Sequence, residues 1–239
     1  MERRISLLWE NGESTFEPVL ILMASLNEEE GIGPTIEEIK NFVNNPSFLV
    51  VDGCSTDRTV EIAKNFDAQI MFQRRKGKGA AIAQAVELAS FNGNYVIMID
   101  ADFTYPAKFI PMMMQILDEN PKVGMVCGNR FNSHFDMESM SDIFYMGNRV
   151  LAFTHNMLNG VSLRDPLTGL RVIRWNILRG WKPKSSGFDI EVELNHHVER
   201  RGYEIAEIPI YYRTRLGQKK LKLRHGVTIL KRIVTESVY

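Results

Sequence analysis

Cysteine is almost missing from this chain: Cys54 and Cys127 are the only two in 239 residues. Two thiols cannot build a disulfide framework, and no C-x-x-C or Cys/His spacing suggests zinc. They read as the reduced thiols of a cytosolic protein. An excess of either charge is lacking too. Lys and Arg number 29 against 29 Asp and Glu, a formal net charge of zero, which gives no general reason to expect nucleic acid as a partner. No apolar run approaches the roughly 18–20 residues of a membrane span. The N-terminal residues from Met1 to Glu17 have no apolar core of the signal-peptide kind. Also absent is G-x-G-x-x-G, and Gly77-Lys78-Gly79 lacks the upstream Gly and the following Ser/Thr of a phosphate loop. The missing G-x-G-x-x-G speaks against a dinucleotide-binding dehydrogenase.

What is present is globular. Hydrophobic residues make up 44% and charged residues 24%, and the length suits one large α/β domain or two small ones. Val19–Ala24 is a continuous apolar run, as in a strand buried on both faces of a parallel sheet. Phe48–Val51, Gln69–Phe72, Tyr95–Ile99 and Val123–Cys127 are further strands. Between them lie helical patterns opened by Pro34, capped near Thr56 or Asp57, Ala-rich at Ala80–Leu88, and spanning about Pro106 to Asp118. This rhythm predicts a doubly wound, mostly parallel α/β sheet with helices on both faces. Later come a long helix (Met137–Leu158), a turn-rich segment (Asp165–Arg171), a helix (Phe188–Arg200) and a strand (Ile205–Tyr212).

Ligands of open α/β sheets bind beyond the carboxyl ends of the strands. The residues that follow the first four strands are Ser25-Leu26-Asn27-Glu28, Asp52 to Asp57, Arg74 to Gly79, and Asp100-Ala101-Asp102. Two carboxylates two residues apart at a strand end suit a hard divalent cation, Mg²⁺ or Mn²⁺, that bridges to phosphates. Asp52 is placed to accept a nucleobase N–H or to shape a turn. The basic loop Arg74–Lys78 is placed to meet a diphosphate or to be solvated.

Together these residues resemble family 2 glycosyltransferases of the GT-A (Rossmann-like) fold, and within them the dolichyl-phosphate hexose synthases. The resemblance covers about Val19 to Leu221. It rests on Ala24-Ser25-Leu26-Asn27-Glu28-Glu29, Val50 to Asp57, Gly77-Lys78-Gly79-Ala80-Ala81 and Asp100-Ala101-Asp102-Phe103-Thr104-Tyr105-Pro106. Gly128-Asn129-Arg130, Asp165 to Arg171, Gly187-Phe188 through Glu193, and Arg215 to Leu221 extend it. The resemblance implies that Ala24, Leu26, Glu28 and Asp52 hold base and ribose, with Lys78 and Ala101 also on the nucleotide-sugar. It implies that Asp100 and Asp102 hold the metal, that Arg130 sits near the sugar or acceptor phosphate, and that Arg215 and Lys220 close over the phosphates. The synthases usually have Pro and Tyr where this chain has Ala24 and Leu26, a second Asp at Gly53, Gln at Thr104, and Ser-Lys at Lys219-Lys220. A third metal ligand and the choice between UDP and GDP are therefore left open.

The implied reaction is inverting transfer of a hexose (glucose, N-acetylglucosamine or mannose) to a polyprenyl phosphate, giving a β-linked product. The same fold acting on a soluble phosphorylated or saccharide acceptor, or a nucleotide-sugar-binding subunit without turnover, are the alternatives. Asp165 and Arg171 are expected to pair and shape the acceptor loop, and Glu193 to support the site or lie on polar surface.

The zero net charge hides an uneven distribution. Residues 1–212 hold 21 basic and 28 acidic residues, whereas residues 213–239 hold eight basic and one acidic. We therefore divide the chain into an N-terminal extension (1–17), a catalytic domain (18–212) and a basic amphipathic segment (213–239). That last segment reads as an acceptor loop and a membrane-surface element. The enzyme is then expected in the cytoplasm, peripheral on the cytoplasmic face of a membrane, with self-association or a membrane subunit left open.

Overall fold

The computed structural model describes residues 19–89, 91–131, 142–159, 162–222 and 224–238. The N-terminal extension and the first part of the Met137–Leu158 helix lie outside them. The strands are β1 (Val19–Ser25), β2 (Pro46–Asp52), β3 (Gln69–Phe72), β4 (Tyr95–Met98), β5 (Val123–Asn129), β6 (Arg171–Arg174) and β7 (Glu204–Pro209). Among the described residues they form one seven-stranded sheet in the order β3-β2-β1-β4-β6-β5-β7. All neighbours are parallel except β6, which runs antiparallel between β4 and β5.

The helices are α1 (Ile32–Phe42), α2 (Thr59–Asn65), α3 (Lys78–Leu88), α4 (Ile110–Glu119), α5 (Asp142–Asn159), α6 (Trp175–Leu178), α7 (Ile190–Arg200) and α8 (Arg224–Ser237). Side chains alternate along β1, so that Val19, Ile21 and Met23 enter one core while Leu20 and Leu22 enter the other. The first core packs Ile32, Ile36 and Ile39 of α1 with Ile110, Met113 and Leu117 of α4. Both sets follow helical spacing, and each fully buried Ile or Leu contributes about 1.5–3 kcal/mol. The second core receives Ala81 and Ala85 of α3 and Leu194 and Val198 of α7. Small residues let α3 approach closely: a Cβ on Gly79 would meet the Ser185 carbonyl oxygen at 2.5 Å.

Strand β6 occupies part of the expected turn-rich segment. Its first residue, Arg171, is buried but does not pair with Asp165. Its guanidinium donates to the carbonyls of Pro166 and Thr168 and, at 2.6 Å, to Asn195 Oδ1. The expected Asp165–Arg171 pair is thus replaced by neutral acceptors, and Asp165 is taken by another arginine, Arg130.

Helices α5 and α8 pack on each other and α8 packs on α7, with Val192, Ile229 and Ile233 buried against Leu151. Part of the C-terminal charge is spent here: Arg232 pairs with Asp189 at 3.0 Å and Arg200 with Glu236 at 2.8 Å. Among the described residues, no helix is long and apolar enough to cross a membrane.

Candidate active site

Strand order changes direction between β1 and β4, which opens a crevice at their carboxyl ends. A cleft of about 550 Å³ lies there. Ala24, Leu26, Glu28, Lys78, Asp100, Ala101, Asp102, Arg130, Arg215 and Lys220 all line it, so ten of the expected site residues meet in one place.

The β1 and β2 ends are tied into one rim. Asn27 sits at φ +50, its N–H donates to Ser55 Oγ, and its Oδ1 accepts from the Thr56 N–H. Asp52 lies beneath this rim, fully buried and outside the cleft lining. Its carboxylate accepts from Ser55 N–H at 2.8 Å, Ser55 Oγ at 2.5 Å and Ser25 Oγ at 3.3 Å. The Ser25 and Ser55 hydroxyls and the Ser55 N–H thus hold the Asp52 carboxylate in the wall behind the cleft. Ser25, Asn27 and Gln73 face the cleft instead. Of the basic loop, Gly77 and Lys78 reach the cleft, while Arg74, Arg75 and Lys76 are exposed outside its lining.

Gly77 makes the turn into α3 at φ +112, with Ser186 carbonyl oxygen 2.1 Å from where a Cβ would stand. That turn delivers Lys78, whose ammonium lies 2.7 Å from Asp100 Oδ1 and 2.8 Å from Glu191 Oε1. Burial works against its charge, but the two carboxylates outweigh it and hold Lys78 above the ordinary lysine range. Burial also opposes ionisation of Asp100, yet Lys78 holds its carboxyl below the usual value. Asp102 is pushed the other way, by burial first and then by the charge of Asp100. Its Oδ1 accepts from the Thr104 hydroxyl at 2.6 Å, and Thr104 is fully buried. The threonine thus serves the aspartate and does not face the cleft.

The segment 213–222 crosses the opening. Backbone bonds from Arg213 N–H to Thr104 O and from Leu216 N–H to Asp102 O, both 3.0 Å, fasten it to the loop after β4. Arg215 then reaches Glu28 at 2.5 Å and Asp102 at 3.2 Å, and Lys220 reaches Glu28 at 2.9 Å. Burial raises the Glu28 carboxyl while Lys220 and Arg215 oppose the rise, and Glu28 Oε2 is buried without a partner. Arg130 is held by Asp165 in a buried bidentate pair of 2.6 and 2.8 Å and lies over the Tyr212 ring. Burial works against the Arg130 charge, but Asp165 outweighs it and holds the guanidinium well above the usual range.

Sequence reasoning missed Glu191 and Gln73, and missed Asp165 as the partner of Arg130. Glu191 follows Gly187-Phe188 on the first turn of α7, a helix start that faces the strand ends, and that was its available signal. Glu193, by contrast, accepts from the Lys184 and Ser185 N–H groups and fixes the preceding loop.

Asp100 and Asp102 offer hard oxygen donors and already face two cationic nitrogens. That donor set fits Mg²⁺ or Mn²⁺, with its other coordination positions left to phosphate oxygens and water. Among the described residues, no group of three or more His, Cys, Asp or Glu side chains could hold a metal alone.

A family model for glycosyl transferase family 2 matches residues 20–179. A dolichyl-phosphate hexose transferase of Haloferax volcanii is 34% identical, over 93% of this chain and 95% of that protein. A dolichol-phosphate mannosyltransferase of Pyrococcus furiosus is 24% identical, over 89% of this chain and 64% of that protein. Among solved structures, glucosyl-3-phosphoglycerate synthase from Mycobacterium tuberculosis, in complex with Mn²⁺, UDP-glucose and phosphoglyceric acid, has a TM-score of 0.73. It is 20% identical, with 93% of this chain and 80% of that one covered, and the likeness concerns the GT-A fold.

Proposed function

This chain belongs to glycosyl transferase family 2 and is a glycosyltransferase, and we propose that it moves a hexose from a UDP- or GDP-sugar to a polyprenyl (dolichyl) phosphate. The observation that carries this reading is the set of charges in the cleft. Carboxylates in the loops after β4 and β1 are matched by Lys78 below and by Arg215 and Lys220 above, beside apolar Leu167, Phe188 and Ile229. Such a site suits a diphosphate, a second phosphate and an apolar tail together. The Haloferax volcanii relative, by its name a dolichyl-phosphate hexose transferase, supports the acceptor.

An acceptor phosphate monoester has a second pKa near 6 and is largely dianionic at about pH 7. It needs no general base, unlike a sugar hydroxyl. The protein's tasks are to position the acceptor, to screen two phosphate groups from each other, and to stabilise the leaving diphosphate. Arg130 is preorganised for the second task, because Asp165 fixes its plane through Nε and Nη2. Arg215 and Lys220 serve the second and third by leaving Glu28 and Asp102 for the phosphates. Ala24, Leu26 and Glu28, with Gln73 and Ala101 nearby, line the end assigned to the nucleotide. Asp100 and Asp102 would hold the divalent cation, which supplies Lewis-acid stabilisation of the diphosphate. The acceptor oxygen attacks the anomeric carbon in line, the bond to the diphosphate oxygen breaks, and an α-linked donor gives a β-linked product. In this reading residues 18–212 are the catalytic body and 213–222 is the segment that closes it.

The test is a thermal-shift panel of UDP- and GDP-hexoses with Mg²⁺ or Mn²⁺, followed by transfer to a polyprenyl phosphate with NMR of the product. The right donor raises stability by mass action. An α-linked product, or transfer to soluble acceptors only, would overturn the proposal.

A further inference from the structure

Helices α5 and α8 carry large apolar side chains that the enzyme body does not cover. On α5, Met146, Val150, Phe153 and Met157 recur at i, i+4, i+7 and i+11, a single helical stripe, and Phe153 is 69% exposed. On α8, Val227, Leu230 and Val234 form a second stripe, with Val227 at 72%. The opposite faces of the two helices are the buried ones: Ala152 and His155 on α5, Ile229 and Ile233 on α8. The helices pack on each other through their buried sides, which leaves both stripes exposed. Apolar side chains gathered into a contiguous patch mark an interaction site, unlike scattered ones.

The charges around this surface select its partner. From Tyr145 to Asn159 and from Arg224 to Thr235 there is no Asp or Glu. Arg149, Arg224 and Lys231 are exposed on these helices, and Lys222 is exposed just before α8. Glu236, the acid near the end of α8, is buried and paired with Arg200 and Arg232. A two-fold contact between copies would set these cations against themselves. An anionic lipid surface would receive apolar side chains and basic rim alike. The cleft lies behind this patch: Asn148 of α5 and Ile229 of α8, on the sides of the helices away from the two stripes, line it.

We propose that the outward faces of α5 and α8 dock the enzyme on an anionic bilayer. The surface therefore overlaps the stretch singled out by charge only in α8. Segment 213–222 is engaged with the carboxylates of the cleft, and α5, which shows little charge, supplies the larger apolar half. The inference rests on the lipid-phosphate reading above for its reason to need a membrane, but its test does not.

The full chain is sedimented with phosphatidylcholine vesicles and with vesicles containing phosphatidylglycerol, both free of polyprenyl phosphate. The wild type should partition to the anionic vesicles, and Phe153→Glu and Val227→Glu should each lower that partition roughly tenfold or more. Leu88→Glu, at an exposed apolar position on α3, should leave it unchanged. Phe153→Ser, which adds no charge, should weaken binding by a smaller factor, and all variants should melt as the wild type does. Wild-type protein that stays in the supernatant, or stripe variants that partition like wild type, would overturn the proposal. So would a wild-type dimer in light scattering that Phe153→Glu dissociates. Transfer to a water-soluble short-chain polyprenyl phosphate, run in parallel, reads the acceptor assignment alone. Its failure beside normal vesicle binding would remove that assignment and leave the docking surface standing.

Discussion

Replacing Lys78 by Met gives a stability change whose size and pH dependence both follow from the geometry. The ammonium sits between Asp100 and Glu191 at 2.7 and 2.8 Å, and removing it strands two carboxylates that share one counter-ion. Removing one partner of a buried pair costs about 3–5 kcal/mol, because the remaining charge is left desolvated. For a chain of this size that is roughly 6–20 °C in Tm. In the wild type the Asp100 carboxyl is held low, so its contribution is present at neutral pH and is lost only as pH falls through that low value. In Lys78→Met the Asp100 carboxyl loses the charge that held it low and burial raises its pKa, so the folded state takes up a proton before the unfolded state does. The variant therefore gains stability as pH falls from 7 toward 5, by up to about 1.4 kcal/mol per pH unit for each group titrating. Urea unfolding of both proteins at pH 7, 6 and 5 should show the gap between them narrowing. A loss below about 1 kcal/mol at pH 7, or a gap independent of pH, would refute the reasoning.

Asp102→Asn should lower transfer by roughly 10²–10³-fold while leaving Tm equal or higher, since burial and Asp100 already disfavour its charge; steady-state kinetics beside thermal melts check both. Gly77→Ala should destabilise by about 2–4 kcal/mol in chemical denaturation, because φ +112 and the Ser186 carbonyl at 2.1 Å leave no place for a Cβ. His155 and His196 face each other with ring centroids 5.4 Å apart, and burial pushes both down to about 4. Their contribution is present above the ordinary histidine range and is lost as pH falls from about 6.5 toward 4, of the order of 1–3 kcal/mol in all. Denaturation midpoints should follow that window in the wild type and flatten in His155→Leu.

Much of this architecture can be read along the chain, for identifiable reasons. Strands β1, β2 and β4 are buried on both faces, so each is a continuous apolar run. Asp100-Ala101-Asp102 announces itself by following one of them. Strand β6 hides because it has four residues and follows Gly169 in a stretch of turn chemistry. Its identity comes from β4 and β5, which flank it in space. The Asp52 carboxylate is visible in the sequence, but the hydroxyls of Ser25 and Ser55 that hold it come from the end of β1 and the loop after β2. The triad of Lys78, Asp100 and Glu191 joins three distant segments, so no local spacing could reveal it. The C-terminal basic residues show the converse. Their number suggested a surface role, whereas Arg213, Arg215 and Lys220 meet Glu38, Glu28 and Asp102 within the protein.

The crossing of 213–222 over the cleft has a thermodynamic consequence. An anion that enters must draw Arg215 and Lys220 away from Glu28, which strands that carboxylate and Asp102. A cation that enters must displace Arg215 from Asp102, which strands the guanidinium. A diphosphate arriving with its divalent cation exchanges partners on both sides and leaves neither charge alone. Each component should accordingly raise the affinity for the other by the same factor, as linkage requires. On the proposed reading the internal ion pairs would work as a coincidence detector, the cleft discriminating against either half of its ligand through the cost of separating charges it already holds together.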